Sequence, residues 1–387
     1  MDTSLYESKL VNHKIFKDVK DSLQENPSGK LRNLLAIIED MLYVWNSIEN
    51  CLFALNLKQL EENDEETPYQ KLHLLSPPQF PVERIAHSAC GGRLCVWGGR
   101  GASVLQLPAR AGRAASFDTV LCKSYCLDER FLYSQTEVRR VHWHPSSLSH
   151  LLVLVSDNTL RLYNIALKSG PKLVSALAIG PKPSSCISGR TILDSLGDTA
   201  VDFAPRPDSD ELLILRGNGD VYMLRCELDS KSPLRPQLSP PLGMFPPAAD
   251  NYGSDSCSIT LLPHAAAPLV VVATTAAVHY HCLLLPTSSD KDANTHALYV
   301  VESVELNVSL PPEDNGYSYP VLLMPCSSTS YSCVHAGGVH CVTVPLLDTL
   351  THYMKASDEE SQQLLCSLPL PPSRATHTLR TALPAPA

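Results

Sequence analysis

Residues 138–165, VRRVHWHPSSLSHLLVLVSDNTLRLYNI, hold an apolar-x-Trp-x-Pro element, a polar gap, a four-residue apolar run, a turn and a second alternating run. The chain repeats the unit. VDFAPRPDSDELLILRGNGDVYMLRC (201–226) sets Phe203 at the place of Trp143, Pro205 at that of Pro145 and Leu212–Leu215 at that of Leu151–Leu154. SITLLPHAAAPLVVVATTAAVHYHCLLL (258–285) and VLLMPCSSTSYSCVHAGGVHCVTV (321–344) carry Pro263 and Pro325 ahead of their runs. MLYVWNSIENCLFALNL (41–57) and RLCVWGGRGASVLQL (93–107) show the run, turn and run without the proline.

The runs begin at 41, 94, 151, 212, 269 and 331, in steps of 53, 57, 61, 57 and 62 residues. Short β runs with turns such as Gly217–Asp220, recurring at near-constant spacing, predict the blades of an all-β propeller. One such sheet cannot bury both faces, whereas sheets stacked round an axis bury them against each other. Asn218-Gly219 suits a hairpin because both residues tolerate positive φ. A β-sandwich also supplies run-turn-run hairpins; six copies at one spacing favour the propeller.

Composition agrees. The 387 residues are 44% hydrophobic, enough for a substantial core, and 31 prolines weigh against a mainly helical fold. A formal charge of −9 offers no basic face for phosphates, so no direct nucleic-acid binding is expected. Thirteen cysteines without paired spacing, and an N-terminus lacking an apolar leader, read as an intracellular, reduced chain. The longest apolar window, around Leu269–Leu285, is broken by His279 and His281, so no membrane insertion is expected.

The remaining segments lie outside the repeat. Leu10, Ile15, Val19 and Leu23 predict a short amphipathic helix in an N-terminal extension, residues 1–32, ahead of a propeller domain at 33–350. The acidic run Glu61–Glu66 reads as a solvated loop or as a contact for a basic partner. Residues 351–387 lose periodicity and turn rich in Pro, Ala and Ser from Ser357 on, which predicts a disordered C-terminal tail.

Chemistry is sought without success. His142 and His144, and likewise His279 and His281, share strand faces but lack the spacing of a zinc set, so no metal is assigned. Cys122 and Cys126 read as free thiols, and Gly98-Gly99-Arg100-Gly101 as a hairpin, with no helix after it to hold a phosphate. Ser195 has no identifiable base, and Asn307-Val308-Ser309 is a sequon that an intracellular chain would not use. No catalytic constellation and no cofactor site is found; the reading is a nonenzymatic platform.

PLGMFPPAADNYGSDSCSITLLP (241–263) resembles a stretch of the 88-kilodalton nucleoporin family, called members only in flies, through Asp250, Asn251, Tyr252 and Gly253. The Trp143-His144-Pro145 unit is similar to that family's tryptophan-histidine-proline blade. His335, Gly338 and His340 are similar to one of its strands, and Asn12 and His13 to its start. The resemblance runs from about residue 10 to about residue 367.

It implies a seven-bladed propeller on the cytoplasmic side of the nuclear pore complex in the nuclear envelope. It also implies docking of FG-repeat nucleoporins, namely the folded C-terminal domain of the 98-kilodalton nucleoporin and a helical tail of the 214-kilodalton one. Support for mRNA export and exportin-dependent protein export is implied as well. The chain departs from that pattern: six units are visible of an expected seven, and no coiled coil follows, as in a fragment, an incomplete gene model or a truncated product. Candidate partner contacts are Gly98, Gly99, Arg100 and Gly101, the loop around Asp250, Asn251, Tyr252 and Gly253, and the linker 228–250. The alternatives are a propeller enzyme with a channel site and a generic WD-type adaptor; the repeats lack convergent catalytic residues and regular Trp-Asp pairs, and exceed the WD length.

Overall fold

The computed structural model describes residues 9–23, 31–62, 67–109, 118–166, 170–180, 199–207, 209–228, 237–247, 255–265, 267–287, 296–306, 321–335, 338–356 and 372–379. Six antiparallel meanders of propeller-blade type follow one another along the chain. They fall into two compact units, Met1–Leu177 and Ala178–Ala387.

In the first unit, blade 1 consists of β1 (Leu35–Ile38), β2 (Met41–Asn46), β3 (Cys51–Asn56) and β4 (Gln70–Leu74). Blade 2 is β5 (Arg84–His87), β6 (Arg93–Gly98), β7 (Gly101–Gln106) and β9 (Ser124–Cys126); the intervening β8 (Thr119–Cys122) crosses to pair in parallel with β4. Blade 3 is β10 (Val138–Trp143), β11 (His150–Val155), β12 (Thr159–Asn164) and β13 (Lys172–Ala178).

In the second unit, blade 4 is β14 (Ala200–Pro205), β15 (Glu211–Arg216), β16 (Val221–Arg225) and β17 (Gln237–Pro241). Blade 5 is β19 (Ser256–Leu262), β20 (Leu269–Thr274), β21 (Val278–Pro286) and β22 (His296–Glu305), with β18 (Gly243–Phe245) added in parallel on β22. Blade 6 is β23 (Leu322–Pro325), β24 (Ser330–His335), β25 (Gly338–Thr343) and β26 (Arg374–Leu379). Within each unit the first strands neighbour one another: β1 with β5, β5 with β10, β14 with β19 and β19 with β23.

All six apolar runs of the repeat are second strands of their meanders. In blades 3 and 5 the second strand lies in mid-blade with both faces covered and is continuously apolar, β20 being buried at every residue and β11 at all but His150, whereas β24 of blade 6 alternates. The outermost β13, by contrast, buries only Leu177 fully. Between blades 1 and 2 pack Trp45, Leu52, Leu94 and Leu105, and between blades 2 and 3 Trp97, Phe131, Val153 and Tyr163. Leu213 and Val270 join blades 4 and 5, and Val271, Tyr331 and Cys333 join blades 5 and 6.

Register corrects one detail of the repeat. Trp143 lies opposite Leu151 and Pro205 opposite Leu212, so Pro205, not Phe203, stands at the Trp143 position, and Phe203 stands at that of Val141. The connection from first to second strand differs in length between these blades, and a sequence overlay absorbs the difference in the wrong place. Both offsets are two residues, which preserves the face. A β-bulge recurs at one place in three blades, between Val138 and Arg140, Ala200 and Asp202, and Ser256 and Ser258.

In the second unit this bulge position carries a polar chain from blade to blade. Buried Asp202 accepts from Ser258 Oγ at 2.9 Å and from the Ile259 backbone N–H at 3.0 Å, and Ser258 Oγ accepts from the Leu323 N–H at 3.2 Å. Bonds of this kind satisfy buried backbone donors on neighbouring first strands.

The amphipathic helix forms as α1 (Lys14–Ser22) and lies on blade 1, with Ile15 and Val19 against Val44, Phe53 and Leu55. His13 fixes its start: Nδ1 accepts from the Ile15 N–H at 3.2 Å and Nε2–H donates to Thr67 O at 2.8 Å. Leu23, expected on the apolar face, is 48% exposed because the helix ends at Ser22. Short helices α2 (Leu57–Glu62) and α3 (Arg130–Tyr133) occupy connections, and α4 (Pro345–Lys355) buries Leu347 in the second unit.

Two segments read as irregular contain strands. The linker 228–250 supplies β17 and β18, and the tail region supplies β26, which pairs along β25. The rest of the tail, residues 357–371 and 380–387, and residues 63–66 of the acidic run lie outside the described residues. At Gly217–Asp220 the one positive φ is that of Gly219, 92°; Asn218 instead uses Oδ1 to accept from the Asp220 N–H at 3.0 Å. Among the described residues no helix is long and apolar enough to cross a membrane.

Candidate functional site

Gly98, Gly99, Arg100 and Gly101 form the β6–β7 hairpin, with Gly98 paired to Gly101. Packing explains the glycines. A Cβ on Gly98 would stand 2.1 Å from Pro81 O, and one on Gly101 2.6 Å from the Phe80 ring. Gly99 O accepts from the Val138 N–H at 3.0 Å, so the turn's backbone is tied to the next blade. Arg100 alone of the four is exposed, and its Nη1 donates to Ser134 O at 2.7 Å. What the hairpin offers a partner is one anchored guanidinium.

Asp250, Asn251, Tyr252 and Gly253 lie outside the described residues. Before them in the sequence Phe245 stacks on Tyr299 with ring centroids 5.3 Å apart, and after them Asp255 O accepts from the Thr275 N–H at 2.9 Å.

Two features escape a reading by sequence. Beside blade 1 lies a cleft of about 430 Å³ lined by Asp40, Tyr43, Lys58, Tyr69 and Asp118, and next to it one of about 390 Å³ that shares Tyr69 and Asp118 and adds Lys14 and Lys71. Tyr69 OH donates to Asp18 of α1 at 2.5 Å, which holds the wall between them. No motif marks these residues; the fold alone gathers them.

The other feature is a buried polar network joining blades 5 and 6. Tyr331 OH lies 2.9 Å from His279 Nδ1 and 2.8 Å from His281 Nε2, while His281 Nδ1 lies 3.2 Å from Glu302. Ser373 donates to Glu302 from its backbone N–H at 2.8 Å and from Oγ at 2.6 Å. With Glu302 ionised, one proton order satisfies every contact: His279 Nδ1–H to Tyr331, Tyr331 O–H to His281 Nε2, and His281 Nδ1–H to Glu302. His279 Nε2 is then left as a buried lone pair without a partner, cheaper than a stranded N–H.

The hydrogen bond from His281, and then those from Ser373, hold the Glu302 carboxyl down to about 2. Burial, reinforced by the neighbouring histidines, drives His279 down to about 3, and burial pushes the Tyr331 phenol well up. The tyrosine is therefore a neutral donor and the network a lock for the strand that follows Ser373. The paired histidines read as ordinary strand residues thus have a structural task. Among the described residues one group places His, Cys and carboxylate ligand atoms within metal-binding reach: Glu49, Cys51 and His73.

The family model for Nup88, described as a nuclear pore component, matches residues 5–383. The chain belongs to the Nup88 family. It is thus a nuclear pore component. Nuclear pore complex protein NUP88 of Arabidopsis thaliana is 26% identical over 167 residues, which cover 41% of this chain and 20% of that protein. The match thus spans about a fifth of the length of that relative, whose source is a plant, so the family is not restricted to flies.

The fold is similar to that of a chain in the Chaetomium thermophilum heterotrimeric Nup82 NTD, Nup159 tail and Nup145N APD complex. The TM-score is 0.68 at 13% identity, covering 92% of this chain and 90% of the other. A chain of the yeast heterotrimeric Nup82, Nup159 and Nup116 nucleoporin complex gives a TM-score of 0.60 at 13% identity, with 92% of both chains covered. At that identity the likeness speaks for the fold, and it extends over both units.

Proposed function

We propose that this Nup88-family chain is a nonenzymatic docking scaffold on the cytoplasmic face of the nuclear pore. In this reading it anchors FG-repeat nucleoporins, the folded C-terminal domain of the 98-kilodalton nucleoporin and the helical tail of the 214-kilodalton one. Through them it supports mRNA export and exportin-dependent protein export. The observation that carries the reading is the family match together with a fold shared, over 92% of the chain, with chains solved in complexes with Nup159 and with Nup145N or Nup116. Partner contacts are proposed, each by itself, at the Arg100 hairpin within blade 2 and at the segment around Asp250 and Tyr252 that follows β18 in the sequence, since loops are where propellers vary their surface.

Size-exclusion chromatography with light scattering, on the purified chain alone and mixed with the folded C-terminal domain of the 98-kilodalton nucleoporin, tests this. A one-to-one complex is expected. A monodisperse chain that leaves a folded partner unshifted overturns the docking assignment. Substituting Asp250 and Tyr252 by Ala tests the loop: unchanged affinity with intact folding removes it from the docking face.

A further inference from the structure

We propose that Glu49, Cys51 and His73 form a zinc site on blade 1. Their ligand atoms, a carboxylate oxygen, a thiol sulfur and an imidazole nitrogen, all lie within 4.8 Å of one another. Register puts them there. Cys51 opens β3 directly opposite His73 of β4, so the two side chains share one face at the closest cross-strand spacing. Glu49 stands in the β2–β3 turn, where Asn46 Oδ1 accepts from the backbone N–H of Ile48 at 3.0 Å and of Glu49 at 2.9 Å, and Asn50 completes the reversal at a φ of 49°. The carboxylate therefore projects from a braced turn.

One sulfur, one nitrogen and one oxygen donor suit a borderline-soft, tetrahedral divalent cation, and three protein ligands leave a fourth position for water. The site already holds a positive charge in its metal-free form: Lys71 Nζ donates to both Glu49 oxygens, at 2.8 and 2.9 Å. Lys71 lies two residues from His73 on the same face of β4, and its side chain is about one-third exposed, so it can swing into solvent when a metal takes the carboxylate. Lys71 is thus a competitor for the site. Cys51 is fully buried, and burial first, then the Glu49 charge, push its thiol up to about 12. It stays protonated until the metal replaces the proton on sulfur; that proton leaves to solvent, and the metal–thiolate bond forms in its place. Such a bond would clamp the turn, β3 and β4 together on the face that carries α1.

The test uses the whole chain, reduced and stripped with chelator, and titrates it with Co²⁺ and then Zn²⁺. Binding at this site gives one Co²⁺ per chain with a thiolate-to-cobalt charge-transfer band and the strong visible absorption of tetrahedral cobalt, displaced by one equivalent of Zn²⁺. C51S and H73N are expected to abolish the charge-transfer band or raise the zinc dissociation constant about 100-fold or more, and E49Q about 10-fold or more. K71M is expected to tighten binding, because the competing ammonium is gone. Should C51S fail to fold, H73N and E49Q, at less buried positions, carry the same test. Cobalt spectra of octahedral type, or zinc affinities unchanged across E49Q, H73N and K71M, would place the metal elsewhere and overturn the proposal.

Discussion

A single carboxylate, Asp202, shows how little polar chemistry the core tolerates unsatisfied. Its oxygens serve the Phe203 N–H at 2.8 Å, the Ile259 N–H and the Ser258 hydroxyl, all buried at the bulges of neighbouring first strands. Asp202→Ala strands two backbone donors at once and should cost about 3 kcal/mol, since each orphaned buried donor costs about 1–3 kcal/mol. Urea unfolding followed by far-ultraviolet circular dichroism would measure it, and a loss under about 1 kcal/mol would show that water replaces the carboxylate. Gly98 is constrained by space. A methyl group there must displace the Pro81 carbonyl, so G98A should destabilise by about 2–3 kcal/mol or more, whereas G101A, which meets only a movable ring edge, should cost less. The order of the two denaturation midpoints decides the point. In the sequence the same glycines are legible as a hairpin but not as the floor under Phe80 and Pro81, because that strand connection is set by how blade 2 folds on itself.

Among elements, α1 has the largest consequence for its size. Blade 1 turns Val44, Phe53 and Leu55 toward the helix, and without it that face would be open to water. Ile15→Ala, at a site with no exposure, should lose about 3 kcal/mol, and removal of residues 1–23 should bring self-association visible by light scattering. A chain lacking the helix that stays monomeric would show that blade 1 covers the face by other means. The strands β8 and β18 illustrate a different use of local sequence. Each leaves its own place in the chain order to pair in parallel with the outer edge of a blade, covering backbone groups that would otherwise template further pairing. Neither has the alternation that marks a strand in sequence: β18 is three residues beside a run of prolines, and its strand character comes from the edge it meets.

For the whole molecule, the histidines make stability depend on pH. His279 titrates near 3 in the folded chain against an ordinary value of 6.5, so the unfolded chain binds a proton that the folded one refuses, and stability falls as pH drops from about 6.5 toward 3. Burial moves His150 and His296 in the same direction. Glu302 adds a second stabilising contribution, fully present above its ordinary 4.5 and lost as pH falls toward about 2. The urea midpoint should therefore decline between pH 7 and pH 5, and H279Q should flatten that decline while lowering the plateau. A wild-type midpoint independent of pH over this range would mean that water reaches the network.

The residues by themselves determined the class of fold and, to within one residue, the start of each second strand, because a strand covered on both faces is largely apolar along its length, and that pattern is local. They also carried the family, through short motifs in a fixed order. Tertiary structure alone decided which distant groups meet: Tyr331 with His279 and His281, Ser373 with Glu302, Asp202 with Ser258, Glu49 with Cys51 and His73. It also returned β26 from the tail to complete blade 6. Such meetings follow from strand register and blade stacking over tens of residues, where a shift of one position sends a side chain to the opposite face, and no local pattern encodes that choice.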